Sequence, residues 1–171
     1  MCSSVKRFIG LALILCALAF PGSAMSALFS IEGHDLASEL QTAQREGRRL
    51  VVFFELPDCP KCLKMKRQVF SSPRVEKQFG RHYRAVRIDL ASTASIIDTQ
   101  GKQTPVQEMA QQLHIFGAPA FAFFSDDGSL EYRHMGSLTQ ADDFLRLGRF
   151  VLNAAYEQQP FSDYRHTSVH H

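Results

Sequence analysis

The chain has 171 residues, of which 45% are hydrophobic and 21% are charged. This is the composition of a globular protein, and it excludes a collagen, a coiled coil and a largely disordered chain. The 19 basic and 17 acidic residues leave a net charge of only +2. We therefore expect one domain of roughly 100–150 residues and no nucleic-acid partner.

The first 27 residues have the pattern of a signal peptide. Lys6 and Arg7 precede an uncharged apolar run at 8–20, and Pro21 and small residues follow it. The run is shorter than the roughly 20 residues that cross a bilayer, so we predict a removed signal peptide at 1–27 and no permanent membrane span after processing. An uncleaved signal anchor is the alternative. Export would place the protein in the periplasm.

Removal of this segment changes the cysteine count. Cys2 and Cys16 leave with it, and only Cys59 and Cys62 remain of the four cysteines. A disulfide between residues so close in sequence closes a loop too short to stabilise a fold by itself. The remaining pair therefore indicates chemistry or a bound metal.

Alternating helix and strand patterns follow in chain order. Apolar residues at helical spacing, short β-branched and aromatic runs, and Gly, Pro and Asp turns mark the boundaries. The predicted helices are 35–47, 59–70, 74–79, 105–113 and 140–158, the predicted strands are 50–56, 83–90, 120–125 and 130–135, and 91–104 is predicted to be an insertion or long loop. This order predicts an α/β sandwich whose central sheet mixes parallel pairs with one antiparallel hairpin.

The candidate chemistry lies where the first buried strand meets the next helix. Cys59 precedes Pro60, which suits the first turn of a helix because its missing N–H needs no partner there. The helix N-terminus and the Lys61 ammonium group both favour a thiolate at Cys59. Cys62, one turn later, can attack a mixed disulfide formed by Cys59. The motif Cys-Pro-Lys-Cys therefore predicts thiol–disulfide exchange.

Two segments carry a family resemblance. FFELPDCPKCLKMKRQVF and FGAPAFAFFSDDGSL resemble the thioredoxin fold, over about residues 50–156, and look like the exported thioredoxins of bacterial sulfur-oxidation gene clusters (the SoxW type). The resemblance implies a three-layer α/β/α sandwich with a mixed central sheet. It also implies a periplasmic oxidoreductase that needs no cofactor, acts on disulfides in exported partner proteins and receives electrons from an upstream membrane donor.

The same resemblance implies roles for individual residues. Cys59 corresponds to the nucleophile and Cys62 to the resolving, more buried cysteine, and the two would form the redox-active disulfide. Pro119 corresponds to a proline with a cis peptide bond beside the disulfide, and the backbone of Ala118 would pair with the substrate peptide. Pro60 and Lys61 would tune the potential of the pair.

The sequence departs from thioredoxin beside the cysteines. Phe53 and Asp58 occupy the positions of a buried aspartate and a tryptophan in thioredoxin. Glu55 is a possible replacement for the aspartate, but we favour a solvated carboxylate at the end of the strand. Leu63 is predicted to be a core residue.

A second class of function stays open. A non-catalytic thioredoxin-fold module could hold a soft metal at Cys59 and Cys62, as a binding protein or metallochaperone. We predict no metal site, since zinc needs about four ligands and only one such cysteine pair survives processing. We further expect a single domain at 28–160 and a flexible tail at 161–171, where histidines could chelate metal adventitiously.

Overall fold

The computed structural model describes residues 28–166, so the predicted signal peptide and the last five residues lie outside the described part. The strands are β1 (Ile31–Glu32), β2 (Arg49–Glu55), β3 (Tyr83–Asp89), β4 (Ser95–Ile97), β5 (Gln103–Pro105), β6 (Ala120–Phe124) and β7 (Leu130–Met135). The α-helices are α1 (Leu36–Arg45), α2 (Pro60–Met65), α3 (Pro73–His82), α4 (Val106–Gln112), α5 (Ala141–Leu152) and α6 (Phe161–His166). A π-helical turn (Lys66–Phe70) continues α2, and a 3-10 turn (Ala155–Glu157) follows α5.

The main sheet has the strand order β1-β3-β2-β6-β7. β1 and β2 run parallel to β3, whereas β6 runs antiparallel to β2 and β7 antiparallel to β6. The parallel strands of such a sheet need helical crossovers, and the hairpin of β6 and β7 needs only a short turn. The predicted mixed sheet is confirmed.

Alternate residues of β2 point into two separate cores. Val51 and Phe53 pack with the residues of α2, α3 and α5, whereas Val52 and Phe54 pack with those of α1 and α4. Because successive side chains of a strand face opposite sides, a run that is apolar throughout belongs to a strand covered on both faces. The three-layer α/β/α sandwich is thereby confirmed.

The segment at 91–104 differs from the predicted long loop. It contains β4 and the start of β5, which pair antiparallel, and Asp98 closes their turn by accepting the N–H groups of Gln100 and Lys102, both at 2.9 Å. Strands of three residues are too short for their periodicity to be recognised among polar neighbours. Pro105 ends β5, so α4 begins one residue later than predicted.

The C-terminal region also differs from the prediction. The helix predicted for 140–158 ends at Leu152, and the chain then turns through Ala154, whose φ is +50°. Residues 161–166, predicted to be part of a flexible tail, form α6 and contribute the buried Phe161 to the core. A helix of six residues has too little amphipathic pattern to be recognised from the sequence.

Candidate active site

The two cysteines lie directly after the carboxyl end of β2. The chain turns at 56–58 and enters α2 with Cys59 as the N-cap residue and Pro60 in the first turn. The N–H of Cys59 donates to the carbonyl of Leu56 at 3.3 Å, and the N–H of Leu63 donates to the carbonyl of Cys59 at 3.0 Å. These hydrogen bonds hold the first cysteine at the amino end of the helix.

Cys59 and Cys62 form a disulfide. Their environments differ, because Cys62 is fully buried in the core whereas Cys59 is partly exposed. The N–H of Cys62 also donates to the sulfur of Cys59 at 3.1 Å. Cys59 is therefore the member of the pair with exposed surface, and its sulfur receives a hydrogen bond from the helix N-terminus.

Ala118 and Pro119 lie at the same end of the sheet. Phe54 near the end of β2 pairs with Ala120 at the start of β6, so the residues before β6 stand beside the turn that leads to Cys59. The Ala118–Pro119 peptide bond is cis. Ala118 and Cys59 pack against the same core cluster, and the carbonyl of Pro119 accepts the N–H of Gly136 at 2.9 Å. The fold thus places the cysteine pair and the Ala-Pro segment at the same end of the sheet.

Lys61 is exposed, as are Lys64 and Arg67 on the following turns of the helix. None of the three forms an ion pair with a carboxylate within residues 28–166. The nearest acidic residue in sequence, Asp58, is exposed as well. The helix therefore presents three exposed cations that form no ion pair in the described residues, while Asp58 places one exposed negative charge before Cys59.

Glu55 is not the solvated carboxylate that the sequence favours. It is only 5% exposed, and it forms ion pairs with Lys66 on the π-helical turn and with Arg87 on β3, the latter at 3.4 Å. A carboxylate can be buried when cations neutralise its charge. Here the two cations come from other elements, the π-helical turn and strand β3. The expectation was wrong because neither contact can be inferred from residues near Glu55.

Leu63 is also misassigned by the sequence, since 41% of its side chain is exposed rather than buried in the core. Its helical position faces away from the sheet, while Cys62 and Met65 face it. Sequence reasoning also missed Phe116, whose side chain is 77% exposed two residues before Ala118. The glycine and proline that follow Phe116 mark a loop rather than a strand, and a large apolar residue in a loop was the available signal.

A family model for the thioredoxin-like domain matches residues 36–152, from the start of α1 to the end of α5. The chain belongs to the thioredoxin-like family. The match covers four of the five strands of the main sheet, helices of both layers, the cysteine pair and Pro119. Membership and the disulfide at Cys59 and Cys62 together make the protein a thiol–disulfide oxidoreductase of the thioredoxin-like kind.

Solved structures show the same fold at low sequence identity. The DsbH oxidoreductase has 20% identity and a TM-score of 0.55, with 88% of this chain and 95% of that chain covered. A thioredoxin from Thermus thermophilus has 23% identity and a TM-score of 0.53, with 82% of this chain and 99% of that chain covered. A putative disulphide-isomerase from Bacteroides thetaiotaomicron has 19% identity and a TM-score of 0.57, with 78% of this chain and 98% of that chain covered. No curated protein matches the chain significantly.

The described part of the chain contains neither a metal-binding cluster nor a membrane-spanning helix. Within residues 28–166, no three His, Cys, Asp or Glu side chains are grouped so that they could hold a metal ion. In the same part of the chain, no helix has the length and apolar character needed to span a bilayer.

Proposed function

We propose that this thioredoxin-like protein is a periplasmic reductase of disulfides in specific exported partner proteins, of the sulfur-oxidation type. The proposal rests on one observation, the different burial of the two cysteines. The pair combines a partly exposed cysteine, Cys59 at a helix N-terminus, with a fully buried one, Cys62, and Ala118 and Pro119 lie at the same end of the sheet. Such asymmetry suits a nucleophile that meets the partner and a second thiol that acts only after the partner is bound.

The reaction begins with the reduced, dithiol form. The thiolate of Cys59 attacks one sulfur of the partner's disulfide, so that a bond forms between Cys59 and that sulfur while the partner's second sulfur leaves as a thiolate and takes up a proton. Cys62 then loses its proton and attacks the sulfur of Cys59. This forms the Cys59–Cys62 disulfide found in the structure and releases the partner's first sulfur, which becomes a thiol.

Two electrons and two protons have then moved from the protein to the partner. A dithiol donor must return them, and we assign this step to an upstream membrane protein. Removal of residues 1–27 as a signal peptide would place the oxidoreductase in the compartment where such partners occur. These assignments of export, donor and partner class rest on the sequence pattern and the resemblance described above.

Ala118 and Pro119 supply the docking position in this proposal. They stand at the same end of the sheet as Cys59, and in this proposal the backbone of Ala118 pairs there with an extended segment of the partner. Pro60 and Lys61 tune the cysteine pair. Pro60 fits the first turn of α2, and the exposed Lys61 brings a positive charge near the Cys59 thiolate.

The proposal is tested by insulin reduction with dithiothreitol as the electron source. We expect the mature protein to accelerate insulin precipitation and Cys59→Ser to abolish the acceleration. In periplasmic extracts, Cys62→Ser should accumulate mixed disulfides with partner proteins, since the second attack is blocked, and mass spectrometry would identify them.

The matched variant for the trapping experiment is Cys59→Ser, which retains Cys62 and should trap nothing. Activity in Cys59→Ser equal to that of the wild type would contradict the assigned nucleophile. An inactive wild type that binds copper or zinc tightly through both cysteines would instead support the metal-holding module.

A further inference from the structure

Large apolar side chains are exposed at only a few positions within residues 28–166. Phe116 is by far the most exposed, at 77%. Four of the five are contributed by segments that flank the cysteine pair or the Ala118–Pro119 bond, and we call these four the active-site rim: Leu56, Leu63, Phe116 and Met135. The fifth, Leu130, lies elsewhere.

The sheet register places the rim at one end of the molecule. Ala120 pairs with both Phe54 and Met135, so the end of β2, the start of β6 and the end of β7 lie side by side. Leu56 follows β2 and Phe116 precedes β6. Leu130 begins β7 and pairs with Phe124, about 17 Å along the strand from Met135 at the usual rise per residue.

The helix contributes the remaining member of the rim. Leu63 adjoins the buried Cys62, and its N–H donates to the carbonyl of Cys59 at 3.0 Å. None of these four side chains belongs to either of the two core clusters. Exposed apolar residues that gather at one end of a molecule, beside its reacting group, are candidates for a binding surface.

Exposed positive charge at the same end of the molecule favours a partner segment that carries a negative charge. Lys61, Lys64 and Arg67 are exposed on the active-site helix, and no carboxylate in the described part of the chain pairs with them. Asp58 is the acidic residue beside Cys59, and Glu55 is already held by Lys66 and Arg87. A docking segment therefore meets apolar surface and positive charge close to the reacting sulfur.

We propose that the active-site rim selects partner segments in which a large apolar residue and an acidic residue flank the disulfide cysteine. Phe116 is the main contact for the apolar side chain, and Lys61 and Lys64 attract the acidic one. This inference rests on the proposed reductase function and names its substrate class. Phe116 is a specificity-determining residue here, and it takes no part in the bond exchange itself.

The test uses the reduced mature protein and three short synthetic peptides, each carrying one cysteine as a mixed disulfide with 2-mercaptoethanol. The first has leucine and glutamate on either side of the cysteine, the second has serine in place of leucine, and the third has glutamine in place of glutamate. We expect the first to be reduced about tenfold faster than the second, the scale set by burying one apolar side chain. At low salt it should also be reduced several-fold faster than the third.

Two substitutions test whether Phe116 causes the preference for the leucine peptide over the serine peptide. Phe116→Ser should bring the leucine and serine peptides to nearly equal rates, and Leu130→Ser, which removes the exposed apolar residue outside the rim, should keep the wild-type ratio. Both side chains are exposed enough that folding should be preserved, which thermal unfolding will verify. Bis(2-hydroxyethyl) disulfide, which has no flanking residues, should be reduced equally by all three proteins.

The outcomes are distinguishable. Equal wild-type rates for the leucine and serine peptides, or an unchanged ratio in Phe116→Ser, would overturn the role of the rim while leaving the oxidoreductase function intact. Equal rates for the glutamate and glutamine peptides would overturn the acidic preference. Failure to reduce even bis(2-hydroxyethyl) disulfide would instead count against the proposed function.

Discussion

Lys61 lies between the two cysteines, and its ammonium group is exposed and not paired with a carboxylate in the described residues. Its positive charge stabilises the thiolate of reduced Cys59, and whatever favours the dithiol state raises the reduction potential. In Lys61→Ala we therefore expect a higher pKa of Cys59 and a potential lower by about 15 mV, a small change because solvent screens an exposed charge. Equilibration against glutathione measures the potential.

The control for this measurement is Lys77→Ala, which removes an equally exposed lysine from α3. It should leave the potential at the wild-type value. An unchanged or higher potential in Lys61→Ala would mean that the helix N-terminus alone sets the stability of the thiolate.

Glu55 explains why the charge of Lys66 matters less for Cys59 than the charge of Lys61 does. The buried carboxylate of Glu55 pairs with Lys66 and with Arg87, and Arg87 also pairs with Glu32 at 3.6 Å. These contacts join the end of β2 to β3 and to the active-site helix. The charge of Lys66 is thereby compensated, which leaves Lys61 as the cation inside the motif that is free to act on Cys59.

At the scale of elements, the packing of α3 against α5 depends on a glycine. A Cβ added at Gly148 would lie 3.0 Å from two atoms of the Phe79 ring and 3.3 Å from the Tyr83 ring. Phe79 is stacked between Tyr83 at 4.6 Å and Phe144 at 4.5 Å, so its ring has little room to move. Gly148 allows the two helices to approach closely.

We expect Gly148→Ala to lower the free energy of unfolding by about 1–2 kcal/mol, because overpacking outweighs the better helix propensity of alanine. Gly80→Ala is the matched variant, since Gly80 is also helical and a Cβ there meets nothing within 4 Å. It should raise the free energy of unfolding by about 0.5–1 kcal/mol. Urea denaturation measures both, and equal signs for the two substitutions would contradict the assigned contact.

At the scale of the whole molecule, the pH dependence of stability should report on His134. This β7 residue packs against Phe161 of α6, with ring centroids 5.4 Å apart. Burial lowers the pKa of His134 to about 4, and the positive charge of Arg165 adds to the effect. Because the unfolded chain binds this proton near pH 6.5, protonation below that value favours the unfolded state.

The contribution of His134 to stability is therefore complete above pH 6.5 and is lost as the pH falls toward 4. Between pH 7.5 and 4.5 we expect the wild type to lose about 2–3 kcal/mol more of its free energy of unfolding than His134→Gln does. His82→Gln, at an exposed histidine, should follow the wild type. Urea denaturation at both pH values measures the difference, and identical losses in the wild type and His134→Gln would refute the assignment.

The sequence by itself determined the layered fold and the place of the cysteine pair. Residues 50–54 are apolar without interruption, which favours a strand covered on both faces, and the turn and Pro60 that follow favour a helix that begins directly after Cys59. These signals are local: they depend on side-chain pattern and backbone restriction within a few residues. Of the two cysteines, Cys62 is the more buried.

Only the tertiary structure decided what surrounds that pair. The burial of Glu55 depends on Lys66 and Arg87, and the active-site rim depends on which ends of β2, β6 and β7 meet. Such contacts join residues far apart in the chain, and no periodicity encodes them. The exposure of Leu63 and Phe116 follows for the same reason, since an apolar side chain is buried only where another element covers it.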